Sequence, residues 1–132
     1  MKIRQLQPSD TKQVIDIWTS SFSRNFNNTL NPGYLNDPNS TTMVVCEGNT
    51  ILGVASIHII YKLSRTLGLI EDVAVNKDHR GKGIGKSLVE KLIEIGKQKN
   101  CDKIVLNTSE KNSKFYEKIG FEKNEIQMVI RN

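Results

Sequence analysis

Midway along the chain, Arg80-Gly81-Lys82-Gly83-Ile84-Gly85-Lys86-Ser87 interleaves glycines with cations. Glycine lacks the Cβ that holds a backbone away from a ligand, so three of them at alternate positions allow close approach. The residues that follow read as a helix. The free N–H groups and positive dipole end of its first turn then face the same point. Phosphate is the guest such a turn suits, and Arg80, Lys82 and Lys86 can add charge-assisted hydrogen bonds. Between Lys77 and Lys103 eight cations stand against four acids, so four of the chain's five net positive charges surround this turn and its helix. A solvated helix face would carry the same charges, but their concentration beside glycines points more specifically to an anionic ligand.

Two familiar phosphate motifs nearly fit and fail. A Walker A loop needs glycine five residues before Gly85, where Arg80 stands. A dinucleotide fingerprint needs G-x-G-x-x-G after the first strand, whereas this is G-x-G-x-G late in the chain. Other reactive side chains say less. Cys46 and Cys101 sit in apolar-leaning segments without a Cys or His at metal-ligand spacing, so inert thiols and no metal are expected. His58 falls in a strand pattern and His79 in a loop, and the sequence pairs neither. Tyr116 lies on a helix, where tyrosines usually pack.

These residues need elements to position them. Lys2 to Leu6 reads as a short strand, and Pro8-Ser9-Asp10 starts a helix with Val14, Ile15, Trp18 and Phe22 on one face. Arg24 to Ser40, rich in Asn, reads as loop with room for one short helix, a plausible source of substrate-facing segments. Met43–Glu47 and Ile51–Tyr61 form a hairpin about Gly48-Asn49-Thr50. Leu69–Val75 is a third strand. The helix after the glycine turn shows Ile84, Leu88, Leu92 and Ile95 on one stripe. Lys103–Thr108 is a further strand, Ser109 caps a helix closed by Gly120, and Glu125–Arg131 alternates as a last strand. The class is α/β or α+β with a mixed sheet.

The 132 residues suit a single domain spanning 1–132, and 37% hydrophobic with 25% charged residues suits a compact fold. No apolar run reaches the ~20 residues of a membrane span, so no membrane partner is expected. The N-terminus lacks the apolar stretch of a secretory signal, and a cytoplasmic protein is expected. The basic balance alone would suit nucleic acid. Its focus on one turn and the 6% aromatic content argue against that partner.

Arg80-x-x-Gly83-x-Gly85 fits the motif [QR]-x-x-G-x-[GA]. With the strand before it and Asn112…Phe115-Tyr116-Glu117-Lys118-Ile119-Gly120-Phe121 after it, the chain resembles the GNAT superfamily of acetyl-CoA-dependent N-acetyltransferases. The resemblance implies a mixed, mostly antiparallel sheet flanked by helices, with acetyl-CoA as acetyl donor. It implies that Val73, Ala74 and Val75 align the pantetheine arm through their backbone. Arg80, Gly81, Lys82, Gly83, Ile84, Gly85 and Lys86 would hold the pyrophosphate, and Asn112 would contact the arm. Tyr116 would protonate the departing thiolate, which a phenol of pKa ~10 can do without being ionised itself. Transfer in this family is usually direct, with a strand N–H near Val73 polarising the carbonyl. A base is needed only to strip the acceptor ammonium, and Glu71 and Asp72 are the candidates. Adjacent strand residues point to opposite faces, so one of them faces the site unless a bulge turns the strand.

Ile70-Glu71-Asp72-Val73-Ala74-Val75, the Glu110–Lys118 block and Met128-x-Ile130-Arg131 look most like glucosamine 6-phosphate N-acetyltransferases. Those are compact dimers whose C-terminal strand joins the interface, with an arginine near its end on the sugar phosphate. The resemblance thus implies a homodimer, a small-molecule amine substrate and Arg131 as phosphate ligand. Where that subfamily commonly has an acid at the end of the strand before the last helix, this chain has Asn107, whose carbonyl can orient an amine but takes no proton. Two other readings stay open: a GNAT enzyme for another small amine or a protein N-terminus, and a non-catalytic acetyl-CoA-binding module.

Overall fold

The computed structural model describes residues 1–22 and 30–132. The elements are β1 (Lys2–Gln5), α1 (Thr11–Phe22), α2 (Pro32–Leu35), β2 (Ser40–Glu47), β3 (Thr50–Tyr61), β4 (Thr66–Val75), α3 (Ile84–Gln98), β5 (Lys103–Leu106) and α4 (Glu110–Ile119). Short 3₁₀ turns precede α1 at Pro8–Asp10 and follow β4 at Lys77–His79. The strands make a five-stranded sheet in the order β1-β2-β3-β4-β5. Neighbours are antiparallel except β4 and β5, which run parallel across the α3 connection. The mixed, mostly antiparallel sheet expected from the sequence is present.

Strand alternation sends two sets of side chains to two faces. Ala55, Ile57 and Ile59 of β3 and Ile70 of β4 pack under Ile84, Leu88, Val89 and Leu92 of α3. On the opposite face Val44, Cys46, Val54 and Ala74 pack under Val14 and Ile17 of α1. Burial on both faces explains why the β2–β3 hairpin reads as nearly continuous apolar sequence rather than clean alternation. Gln13 of α1 clamps that hairpin: its Nε2 donates to the Asn49 carbonyl and its Oε1 accepts from Ile51 N–H, both at 2.8 Å.

Several boundaries differ from expectation. β4 begins at Thr66 rather than Leu69, because Thr66 N–H donates to Asp102 Oδ2 at 2.7 Å and its carbonyl accepts from Asp102 N–H at 2.8 Å. On α1, Ile17 rather than Phe22 is buried, and Phe22 at the helix end is 39% exposed. Of the expected Arg24–Ser40 loop, Arg24–Thr29 lies outside the described residues, and the remainder holds α2, capped by Asn31. The last strand is a correction. Residues 120–132 form no regular element, and Ile126, Met128 and Ile130 are 86%, 87% and 93% exposed. Alternation supplies a strand's side chains, but a strand also needs a partner edge for its backbone, and this segment pairs with no strand of the described sheet.

Candidate active site

The centre of the site is a kink in β4. Ser56 pairs with Glu71 and Val54 with Ala74, so one residue of β3 faces two of β4, Asp72 and Val73. Asp72 adopts φ +57°, the left-handed region that a non-glycine residue seldom enters. This is a β-bulge, and it reverses the strand's parity. Ile70 belongs to the α3 face, yet Val73 and Val75 also pack there, while Ala74 packs on the α1 face. Glu71, next to Ile70, falls on the α1 face. The sequence expectation that only one carboxylate faces the site unless a bulge intervenes therefore meets a bulge. Trp18 of α1 directs its indole N–H at the Asp72 carbonyl, a long 3.4 Å contact that covers the kink from that side.

Beside the bulge the sheet opens. β5 pairs with β4 only from Leu67↔Lys103 to Ile70↔Leu106, whereas β4 continues to Val75. The edge of β4 from Glu71 to Val75 that faces away from β3 thus has no strand on it among the described residues. Apart from Asp72, whose carbonyl meets Trp18, that stretch can pair with an extended ligand as it would with an added strand.

The glycine turn stands at the far end of that edge. Gly81 and Gly83 have φ +81° and +79°, and a Cβ on either would meet nothing within 4 Å. Their requirement is conformational, and the space above them is open. Gly83 is also the N-cap of α3 and has no side chain to cap the first amides, which stay free for an anion. Ile84 is buried in the core, so only its backbone belongs to the turn. Gly85 differs: a Cβ there would lie 3.3 Å from Phe115 Cζ and 3.5 Å from Val75 Cγ2. Its smallness lets β4, α3 and α4 meet. A pyrophosphate-bearing ligand fits the open cradle over Gly81 and Gly83.

α4 brings the phenol. Ser109 accepts from Asn112 N–H at the helix start, and Gly120, at φ +123°, ends it. Phe115 packs edge-on against Tyr116 at 4.9 Å between centroids, and Phe121 closes the other side at 6.0 Å. Through the Phe115–Gly85 contact, Tyr116 is held beside the glycine turn. Burial pushes its phenol above the ordinary range, so it stays protonated at neutral pH. Asn112 is exposed on the first turn of α4, and Asn107 is exposed after β5.

The opposite face of the bulge is polar. Ser40, Thr42, Ser56 and His58 share it, and the buried Thr42 and Ser56 hydroxyls bond at 2.6 Å. Tyr34 of α2 hydrogen-bonds Thr42, and its ring meets His58 edge-on at 6.1 Å. Burial raises the Glu71 carboxyl, the Asp72 charge raises it further, and His58 pulls it down. Sequence reasoning missed Tyr34, Thr42, Ser56 and His58. Their signal was the shared parity of Ser40/Thr42 and Ser56/His58 on otherwise apolar strands. Arg131 lies in the exposed segment after α4, and no element of the described chain carries it to the bulge. Cys46 is buried and Cys101 half-buried, and no metal-binding group occurs among the described residues.

Comparison with known proteins bears directly on this arrangement. The model of the acetyltransferase (GNAT) family matches residues 4–121. Glucosamine 6-phosphate N-acetyltransferase of Trypanosoma brucei brucei is 46% identical over 67% of this chain, and that of Dictyostelium discoideum is 44% identical over 62%. The chain spans 64% and 54% of those relatives' lengths. The crystal structure of a Trypanosoma brucei acetyltransferase superposes with TM-score 0.86 at 33% identity, covering 99% of each chain. Arabidopsis thaliana glucosamine-6-phosphate N-acetyltransferase does so with TM-score 0.86 at 29% identity, covering 98% of this chain and 97% of its own.

Proposed function

The chain belongs to the GNAT acetyltransferase family, and from that premise we propose that it is an N-acetyltransferase moving an acetyl group from acetyl-CoA to a primary amine. The observation that carries the proposal is the open β4 edge from Glu71 to Val75, which leads to the left-handed glycine turn, with α4, the helix of Tyr116, packed near that turn through Phe115 and Gly85. Bound there, the donor supplies a thioester acetyl group. The backbone of Val73, Ala74 and Val75 aligns its arm, with Asn112 as a further contact. The amides from Gly81 to Lys86 hold its pyrophosphate, with Arg80, Lys82 and Lys86 adding charge. A strand N–H at the bulge polarises the carbonyl, and Tyr116 gives its proton to the leaving sulfur. The amine comes from the polar face, where Glu71 strips the ammonium, Asp72 lends negative charge and Asn107 orients it. Attack is direct, in a ternary complex.

The acceptor we propose is glucosamine 6-phosphate, giving N-acetylglucosamine 6-phosphate. Relatives bearing that activity in their names support it, as do the Glu71-Asp72 pair and Arg131. The exposed alternating segment at Glu125–Arg131 supports a homodimer, in which a second subunit supplies the missing strand partner and Arg131 reaches a sugar phosphate. The chain acts as a single catalytic domain over 1–132. No helix among the described residues is long and apolar enough to cross a membrane; the cytoplasmic location we propose is supported by the free thiols at Cys46 and Cys101. Arg131→Ala tests the acceptor. Losing a charge-assisted contact costs ~1.5–3 kcal/mol, so KM for glucosamine 6-phosphate should rise roughly 10- to 100-fold while KM for acetyl-CoA holds. Arg131→Lys should rescue in part. Equal losses for glucosamine without its phosphate would assign Arg131 to the fold or the dimer instead.

A further inference from the structure

Under α2, one hydrogen-bonded chain ends on the ring of His58. Ser40 Oγ donates to Asp37 Oδ2 at 2.7 Å and lies 2.8 Å from His58 Nδ1. A serine hydroxyl has a single proton and a carboxylate only accepts, so that proton is committed to Asp37. His58 Nδ1 must then be the donor to Ser40, and the neutral ring carries its lone pair on Nε2. Asn39 N–H donates to Asp37 Oδ1 at 2.9 Å and fixes the carboxylate. The edge contact with Tyr34 walls the ring.

Sheet register sets what this ring faces. His58 pairs with Leu69 and Ser56 with Glu71, so His58 and Glu71 are diagonal neighbours on one face of β3 and β4. Long side chains interact across that spacing. The other titratable groups facing the pair are Tyr34 from α2, Asp37 from the turn before β2 and Asp72 from the bulge. From α1, Trp18, which does not titrate, lies over the bulge.

We propose that His58 is a positioning residue for Glu71, taking over the proton that Glu71 strips from the acceptor ammonium and so keeping that carboxylate ionised. This rests on the acetyl-transfer reading above. The ammonium gives one proton to Glu71, and the freed lone pair attacks the thioester carbonyl. The C–N bond forms and the C–S bond breaks. The second amine proton replaces the one that Tyr116 gives to sulfur. The proton on Glu71 passes to His58 Nε2, and the imidazolium is held through Nδ1–H by Ser40 and, behind it, the Asp37 charge, before release to water. It is the charged imidazolium, not the neutral ring, that pulls the Glu71 carboxyl down.

Carboxyl ¹³C NMR of the free protein, with Glu71 assigned through Glu71→Gln, reads the pair without substrate. In His58→Gln the Glu71 midpoint should rise by roughly half a pH unit or more, about threefold in its proton affinity. Ser40→Ala should move it less in the same direction, and that variant decides the matter if His58→Gln does not fold. In turnover, His58→Gln should lower kcat about tenfold, shift the acid limb of the rate profile upward and leave KM for acetyl-CoA unchanged. An unmoved midpoint in the folded variants overturns the proposal, and so does a lower kcat with an unmoved acid limb. A raised midpoint in a parent protein that turns over no amine upholds the pairing and removes the acetyl-transfer reading instead.

Discussion

The two faces of β4 are built by different means. Toward α3 the site is backbone: an open strand edge, two left-handed glycines and the uncapped amides of a helix. Toward α1 and α2 it is side chains, drawn by sheet register from α2, the turn before β2, and strands β2, β3 and β4. A backbone cradle suits a ligand part that never varies, such as a pyrophosphate, because it depends on chain geometry more than on side-chain identity. A side-chain surface can be re-specified one residue at a time, which is what acceptor choice requires. The bulge at Asp72 joins the two, since it alone lets one strand present Val73 to the first face and Glu71 to the second.

Tyr116 offers the sharpest break in that contrast, being the side chain asked to move a proton on the backbone-built face. Tyr116→Phe should leave folding and acetyl-CoA affinity intact and slow the chemical step ~10²–10⁴-fold. Unchanged turnover where chemistry limits the rate would reduce Tyr116 to packing between Phe115 and Phe121. The glycines give the next largest effect. Gly83→Val puts a β-branched residue at a left-handed φ and crowds the cradle, so calorimetry should show acetyl-CoA binding weakened at least about tenfold. Gly85→Ala, whose Cβ meets Phe115 rather than the cradle, should cost about 1 kcal/mol of stability or less and leave affinity nearly unchanged. Equal affinity losses would mean that the two glycines do the same job.

The smallest effect belongs to the other face. The folded protein holds the Glu71 proton more tightly than the unfolded chain does, because burial and Asp72 raise its carboxyl. Stability is therefore lost as pH rises from the ordinary glutamate value, 4.5, through the raised one. Glu71→Gln should remove that slope and raise Tm at neutral pH, on the order of 1 °C given partial solvent screening, with no gain below the ordinary value. Thermal melts across that window check it. A lower Tm at neutral pH would mean that the carboxylate is stabilised in the fold and that its site is not the desolvated one described.

The sequence revealed the two faces unequally, for the same physical reason. Glycines, a following helix and the stripe Ile84, Leu88, Leu92 are local patterns, so the turn, α3 and most strands could be read directly. The polar face could not. Ser40 and His58 are 18 residues apart and meet only because β2 and β3 pair in one register. His58, set aside as an unpaired strand histidine, became informative only with that register. The Asp72 bulge was foreseen as a possibility, but nothing in Glu71-Asp72-Val73 marks which residue turns left-handed. The alternation over Glu125–Arg131 suits a strand's side chains but says nothing of a partner edge.

The central claim is that this chain transfers acetyl from acetyl-CoA to an amine. Free-thiol release from acetyl-CoA, measured across phosphorylated amino sugars and simple amines with the products identified by mass, tests it most directly. Release should depend on added amine and be fastest with glucosamine 6-phosphate, with N-acetylglucosamine 6-phosphate formed in equal amount and glucosamine itself a poor substrate. Preference for an unphosphorylated amine would contradict the proposed acceptor. Tight acetyl-CoA binding with no amine-dependent thiol release would contradict the transferase itself and leave the glycine turn as a sensor's grip.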